Sequence, residues 1–183
     1  MRPPIPLSLP ALAGVLIMLV ACGPPTFVAE VKGETSVPAT PLGEVLPPLD
    51  AFPAIGSFNS LDFNQNQDFQ NQGVTKDHVA SAKLESFQLK VLAPADQDFT
   101  FLDTLEVYAK AGDRERLVAS KQNISTLNLK APNPVLKLEP LDVELQPFLA
   151  APSMSLSVRG KGRMPQKDVR LQADVKLQVR AKL

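Results

Sequence analysis

Three observations in this 183-residue chain predict an all-β protein, an antiparallel β-sandwich of immunoglobulin-like or related topology. Apolar side chains occupy every odd position from Val169 to Leu183, while Arg170, Gln172, Asp174, Lys176, Gln178, Arg180 and Lys182 fill the even ones. Shorter stretches repeat the pattern, first through Phe87, Leu89 and Val91, then through Leu105, Val107 and Ala109. The chain also holds 18 prolines, many of them between these runs, where they break any long helix. A period of two with one polar face marks strands buried on one side only. Such strands pair antiparallel, which excludes an α/β sheet covered on both faces.

Taken in order, the chain opens on Arg2 and an apolar run from Ala11 to Ala21, ending Leu19-Val20-Ala21-Cys22. One positive charge, a short apolar core and small residues before the cysteine fit an export signal over residues 1–21. Eleven residues are too few to span a bilayer, which takes about 20. The four residues Leu19, Val20, Ala21 and Cys22 resemble a bacterial lipobox. That resemblance implies cleavage before Cys22, a diacylglyceryl group on its thiol and acylation, typically palmitate, of the new amino terminus. Two or more chains anchor a protein stably where one is marginal. Gly23, where an Asp commonly retains Gram-negative lipoproteins in the inner membrane, implies the outer membrane. Cys22 is also the only cysteine, so no disulfide can form within the chain.

Residues 22–56 read as the lipidated cysteine and a Pro-rich tether, with a β-favouring stretch at 26–32 that Gly33 should end. As free coil the tether spans roughly 30 Å, whereas docking of 26–32 as an edge strand would bring the domain close to the lipid surface. Residues 57–183 form the sandwich domain. Its amide-rich start sets Asp62, Asn64 and Asn66 at calcium-loop spacing, but Gln67 and Gly73 stand where that loop needs Gly and Glu. The segment therefore reads as a strand and loop that insert Phe58, Leu61, Phe63 and Phe69 into the core. Leu84 to Val91 is the first long strand, Leu105 to Ala109 the second, and Gly112-Asp113 a turn. Shorter runs follow at Leu117 to Ala119, Ile124 to Leu129 and Val135 to Leu145, then one helical turn at Gln146 to Ala150. The final strand should pair with Met154 to Val158 through a Gly-assisted hairpin at 159–165. At 15 residues it exceeds the usual strand and should bend or serve two sheets.

Charge is distributed unevenly. Residues 157–183 carry 8 basic and 2 acidic side chains, whereas 23–156 carry 10 and 17. Arg159, Lys161, Arg163, Lys167 and Arg170 thus form a candidate surface for anionic headgroups, lipopolysaccharide or an acidic partner. The alternative is that these cations meet acids across neighbouring strands. Neither the overall balance nor any motif points to nucleic acid.

No motif points to a reaction. A single histidine, His78, and one cysteine leave no zinc or iron site, and no cofactor is implied. Asp96, Asp98 and Asp103 flank one loop but read as solvent-facing. Without Trp and with only Tyr108, the chain lacks the aromatics of a carbohydrate or paratope-like surface. Runs such as 30–38 and 71–74 resemble uncharacterised Gram-negative envelope lipoproteins, which carry no known functional residues. The expectation is an outer-membrane-anchored, non-enzymatic accessory or binding module with an envelope protein partner, serving assembly, adhesion or motility. The second reading is a carrier of lipids or other hydrophobic ligands, and the third an envelope hydrolase using His78.

Overall fold

The computed structural model describes residues 25–39 and 66–182. Cys22 with the rest of the lipobox, the tether beyond residue 39, Asp62 and Asn64 of the calcium-loop spacing, and Phe58, Leu61 and Phe63 lie outside them.

Among the described residues eight strands make two four-stranded antiparallel sheets packed face to face. The first sheet contains β1 (Thr26–Val37), β8 (Val169–Ala181), β2 (Val79–Ala93) and β5 (Val135–Lys137) in that order. The second contains β6 (Glu139–Pro140), β4 (Arg114–Lys121), β3 (Leu102–Ala111) and β7 (Ser155–Gly162). In the immunoglobulin order the first and last strands belong to opposite sheets. Here β1 and β8 pair along their whole length, from Thr26 opposite Arg180 to Val37 opposite Val169. The sandwich is thus of a related topology and not the immunoglobulin one, with the first and last strands of the described residues side by side in one sheet.

Why β8 sits in the middle of its sheet follows from its sequence. Val169, Leu171, Ala173, Val175, Leu177, Val179 and Ala181 are all buried, and small or β-branched residues fit a pleated surface flanked on both sides. Opposite them stand Ala29 and Val37 of β1 and Leu84, Phe87, Leu89 and Val91 of β2. The second sheet closes this core with Leu105, Val107 and Ala109 of β3 and Leu156 and Val158 of β7. No polar or charged residue is buried among the described residues.

Several expected elements differ from the observed ones. The strand at 26–32 does not stop at Gly33, which is buried opposite Ala173, but runs to Val37. Residues 26–37 are therefore part of the sheet and not of a tether. Met154 to Val158 is not the hairpin partner of β8: β7 pairs with β3, so residues 163–168 cross between sheets. Both flanks of β8 are already taken by β1 and β2. That last strand stays in one sheet, and irregularity falls on its partner, since β2 shifts register at Val79/Ser81, Leu84/Ser86 and Val91/Ala93. Ile124 to Leu129 is not a strand but begins with a 3-10 turn, Ile124–Thr126, and Asn123 and Asn128 adopt positive φ. The expected turn at Gly112-Asp113 joins β3 to β4, with Gly112 at φ 58°. The helical turn is present as well, as α2 (Gln146–Leu149), which follows the short α1 (Gln67–Asn71) in chain order.

Both open edges of the first sheet are covered by side chains that act as backbone. At β1, the Glu30 N–H donates to Asp68 Oδ2 at 2.8 Å and Asn66 Nδ2 donates to the Glu30 carbonyl at 3.2 Å. Asn66 also caps α1, and the buried Phe69 meets Phe27 edge to face at 5.2 Å. At β2, beyond the end of β5, the Glu144 carboxylate accepts from the Ala82 N–H at 2.7 Å while Leu145 N–H donates to the Ala82 carbonyl at 2.7 Å. Such plugs stop an edge from pairing freely.

Candidate functional site: the outer faces of the two sheets

Of the five cations expected to act together, only Arg159 and Lys161 share a strand, β7, and face outward from the second sheet. Arg170 belongs to β8 in the other sheet, while Arg163 and Lys167 lie in the crossing between them. Most of these cations meet an acid. Arg159 makes a two-pronged contact with Glu115 at 2.7 and 2.8 Å, Lys167 meets Asp96 at 2.6 Å, and Arg170 approaches Glu34 at 3.6 Å.

Arg159 is the best anchored of them. The register sets it opposite Glu106, and its guanidinium lies 4.3 Å from the centre of the Tyr108 ring. The Tyr108 hydroxyl donates to Glu106 at 2.8 Å, and this bond holds the phenol above its ordinary value of about 10. Glu115 in turn raises the Arg159 pKa, so the cation is locked in a charged network across β4, β3 and β7. A small recess of about 130 Å³ beside it is lined by Thr104, Glu106, Tyr108, Arg159, Gly160 and Lys161.

A larger recess opens on the first sheet, where sequence reasoning had marked nothing. Its volume is about 490 Å³, and Thr26, Ser81, Lys83, Glu144, Gln178 and Arg180 line it. The register explains the grouping: Arg180 stands between Thr26 of β1 and Ser81 of β2, and Gln178 stands in the next row beside Lys83. The bulge between Val79 and Ser81 inserts an extra residue there and aims the Ser81 side chain at Glu144. Burial raises the Glu144 pKa, but hydrogen bonds from the Ala82 N–H, Ser81 Oγ and the Gln146 N–H outweigh it and hold the carboxyl below its usual range. Lys83 is raised by its bond to Asp142 at 2.5 Å. Arg180, which is exposed, has no ion pair among the described residues. The only advance signal for this recess was the run of even polar positions in β8, which shows the face but not its neighbours.

The other sequence candidates do not converge. His78 lies exposed in a 3-10 turn, its Nδ1 bonded to Thr75 Oγ1 at 2.8 Å, with no serine–acid pair beside it among the described contacts. Asp96 pairs with Lys167, Asp98 holds the N–H and hydroxyl of Thr100, and Asp103 accepts from Ser125. Among the described residues no group of His, Cys, Asp and Glu is placed to hold a metal ion, and no helix is long and apolar enough to cross a membrane.

No protein-family model matches the chain, and no curated protein does. Among solved structures it is similar to a decameric BFDV capsid protein at 9% identity and TM-score 0.36, over 85% of this chain and 98% of that one. The Desmodium yellow mottle tymovirus gives 10% identity and TM-score 0.30, over 100% and 95%. Turnip yellow mosaic virus gives 12% and 0.30, over 88% and 96%. The fold assignment here rests on the strand order and register alone.

Proposed function

We propose that this chain is a lipid-anchored, non-enzymatic protein of the bacterial outer membrane that serves as an envelope accessory or docking module. The observation that carries the reading is the sequence Leu19-Val20-Ala21-Cys22 at the end of a short apolar core. The position of β1 gives the anchor a geometric consequence. Thr26, already paired with Arg180, is four residues from Cys22, a stretch of at most about 14 Å. An acylated Cys22 therefore holds the sandwich against the headgroup layer and not at the end of a long tether. Among the described residues no strand pairs with β1 beyond the α1 plug, and a protein partner that added one there would run beside Lys32 and Glu34.

Mass spectrometry of the amino-terminal peptide from the mature protein tests the anchor. A diacylglyceryl mass on Cys22, together with release of a Cys22→Ala variant from the membrane fraction, is the expected result. An unmodified thiol on a membrane-free protein overturns the reading. Crosslinking in cells then identifies the partner, which the Cys22→Ala variant should fail to capture.

A further inference from the structure

We propose that the recess formed by Thr26, Lys83, Gln178 and Arg180 binds the phosphate of an anionic phospholipid headgroup. The inference deepens the lipid-anchor reading and rests on it for the source of the phosphate. Its chemistry stands on the recess. Arg180 presents a planar fork of donors suited to two phosphate oxygens and has no competing carboxylate partner among the described residues. The neighbouring groups complete a donor set. Thr26 supplies a hydroxyl, Gln178 an amide, and Lys83 two ammonium protons beyond the one given to Asp142.

Among the described residues Glu144 is the one acid lining the recess, and the structure ties it down. Its Oε1 accepts from two backbone N–H groups and its Oε2 from Ser81 Oγ. The carboxylate is thereby committed to closing the edge of β2, and the Ser81 proton is spent on it and not on a ligand. Further positive charge lies on the same end, where Lys182 Nζ reaches the Asp77 carbonyl at 2.7 Å and leaves its charge unneutralised by an acid in that contact.

Position selects a lipid phosphate over a free one. The recess lies on an outer sheet face at the start of β1, within four residues of Cys22. With that residue in the bilayer, headgroups meet the recess at the effective concentration of a tethered ligand, whereas a free anion must bind from dilute solution. Arg159, a cation that faces outward on the other sheet, is already occupied by Glu115 and Tyr108.

The test uses the mature chain carrying Cys22→Ser, so that no acyl group contributes, and measures sedimentation with vesicles of phosphatidylcholine alone or doped with phosphatidylglycerol. Binding should require phosphatidylglycerol. It should weaken about fivefold in Arg180→Gln and again in Lys83→Gln, because each cation near an anionic surface contributes about that factor. Gln178→Glu, which adds a negative charge within the recess without removing a cation, should abolish it, while Arg159→Gln and Lys161→Gln should leave it unchanged. Thermal unfolding of each variant confirms that it is folded. Equal binding by Arg180→Gln and Gln178→Glu, equal binding to phosphatidylcholine alone, or no binding to either vesicle overturns the proposal. Saturation by inorganic phosphate that depends on Arg180, without vesicle binding, assigns the recess to a free anion and overturns the lipid source. Because the probe protein lacks acyl chains, these outcomes are independent of whether Cys22 is lipidated in the cell.

Discussion

Arg159 on β7 and Arg180 on β8 come from the same basic stretch and both point away from the core, yet they occupy opposite situations. Arg159 has an acid two strands away and an aromatic ring beneath it, so its charge is consumed within the fold. Arg180 has Thr26 on one side and Ser81 on the other, neither of which can neutralise it. The difference lies in the cross-strand neighbours, which determine whether a surface cation is structural or free to meet a ligand. It also separates the two strands as wholes: β8 is flanked on both sides by strands of its own sheet, while β7 pairs with β3 alone among the described residues.

That contrast can be broken most strongly in the core. Leu177 of β8 is fully buried and stands between Ala29 and Leu84. Leu177→Ala should cost about 3 kcal/mol in urea unfolding, and more than the corresponding Leu156→Ala in β7. Equal losses would show that the middle position of β8 gives it no special weight.

A smaller effect is expected at the end of β7. A Cβ on Gly162 would fall 2.2 Å from the Phe101 carbonyl oxygen, which also accepts from the Arg163 N–H at 2.7 Å. Gly162→Ala should therefore lose about 2 kcal/mol of stability as backbone shifts to relieve the clash. A thermal midpoint matching the parent would mean that the second sheet yields at this end.

The plug beside the recess is sensitive to pH. The folded pKa of Glu144 lies below the ordinary glutamate value of 4.5, so its contribution is fully present above that value and is lost as pH falls through the lowered one. Urea midpoints measured between about pH 6 and pH 3 should fall more steeply for the parent than for Glu144→Gln. Parallel curves would remove the carboxylate from the account of the β2 edge.

The mildest changes sharpen the comparison of the two arginines themselves. Arg159→Ala should lower the thermal midpoint measurably, because it strands Glu115 and uncovers Tyr108, whereas Arg180→Ala should leave it within error. A loss at Arg180 as large as at Arg159 would show that it has a structural partner.

Much of the sandwich was legible in the chain. The odd and even positions of β8, the alternation in β2 and β3, the turn at Gly112-Asp113 and the helical turn at Gln146 could all be read from residue order. Other features were not legible, for identifiable reasons. Gly33 looked like a strand end, but opposite Ala173 in the sheet a buried glycine is accommodated. The segment 159–165 looked like a hairpin because glycines and a proline follow an apolar alternation; Arg159 to Gly162 instead continue β7 along β3, and the chain crosses between sheets only after them, at 163–168. Ile124 to Leu129 had the composition of a strand, yet asparagines at 123 and 128 take left-handed conformations that interrupt it.

The sequence by itself determined which side of each strand is buried, because side-chain direction alternates along an extended chain whatever its partners are. It determined too that Leu19-Val20-Ala21-Cys22 closes a short apolar run and that the final strand is amphipathic throughout. Only the tertiary structure decided who pairs with whom: that β1 joins β8, that β7 joins β3, that Glu115 reaches Arg159, and that Thr26, Gln178, Lys83 and Arg180 surround one recess. Pairing is settled by competition among all edges for backbone partners and by the fit of two sheets around one core. Neither is encoded in the periodicity of any single segment.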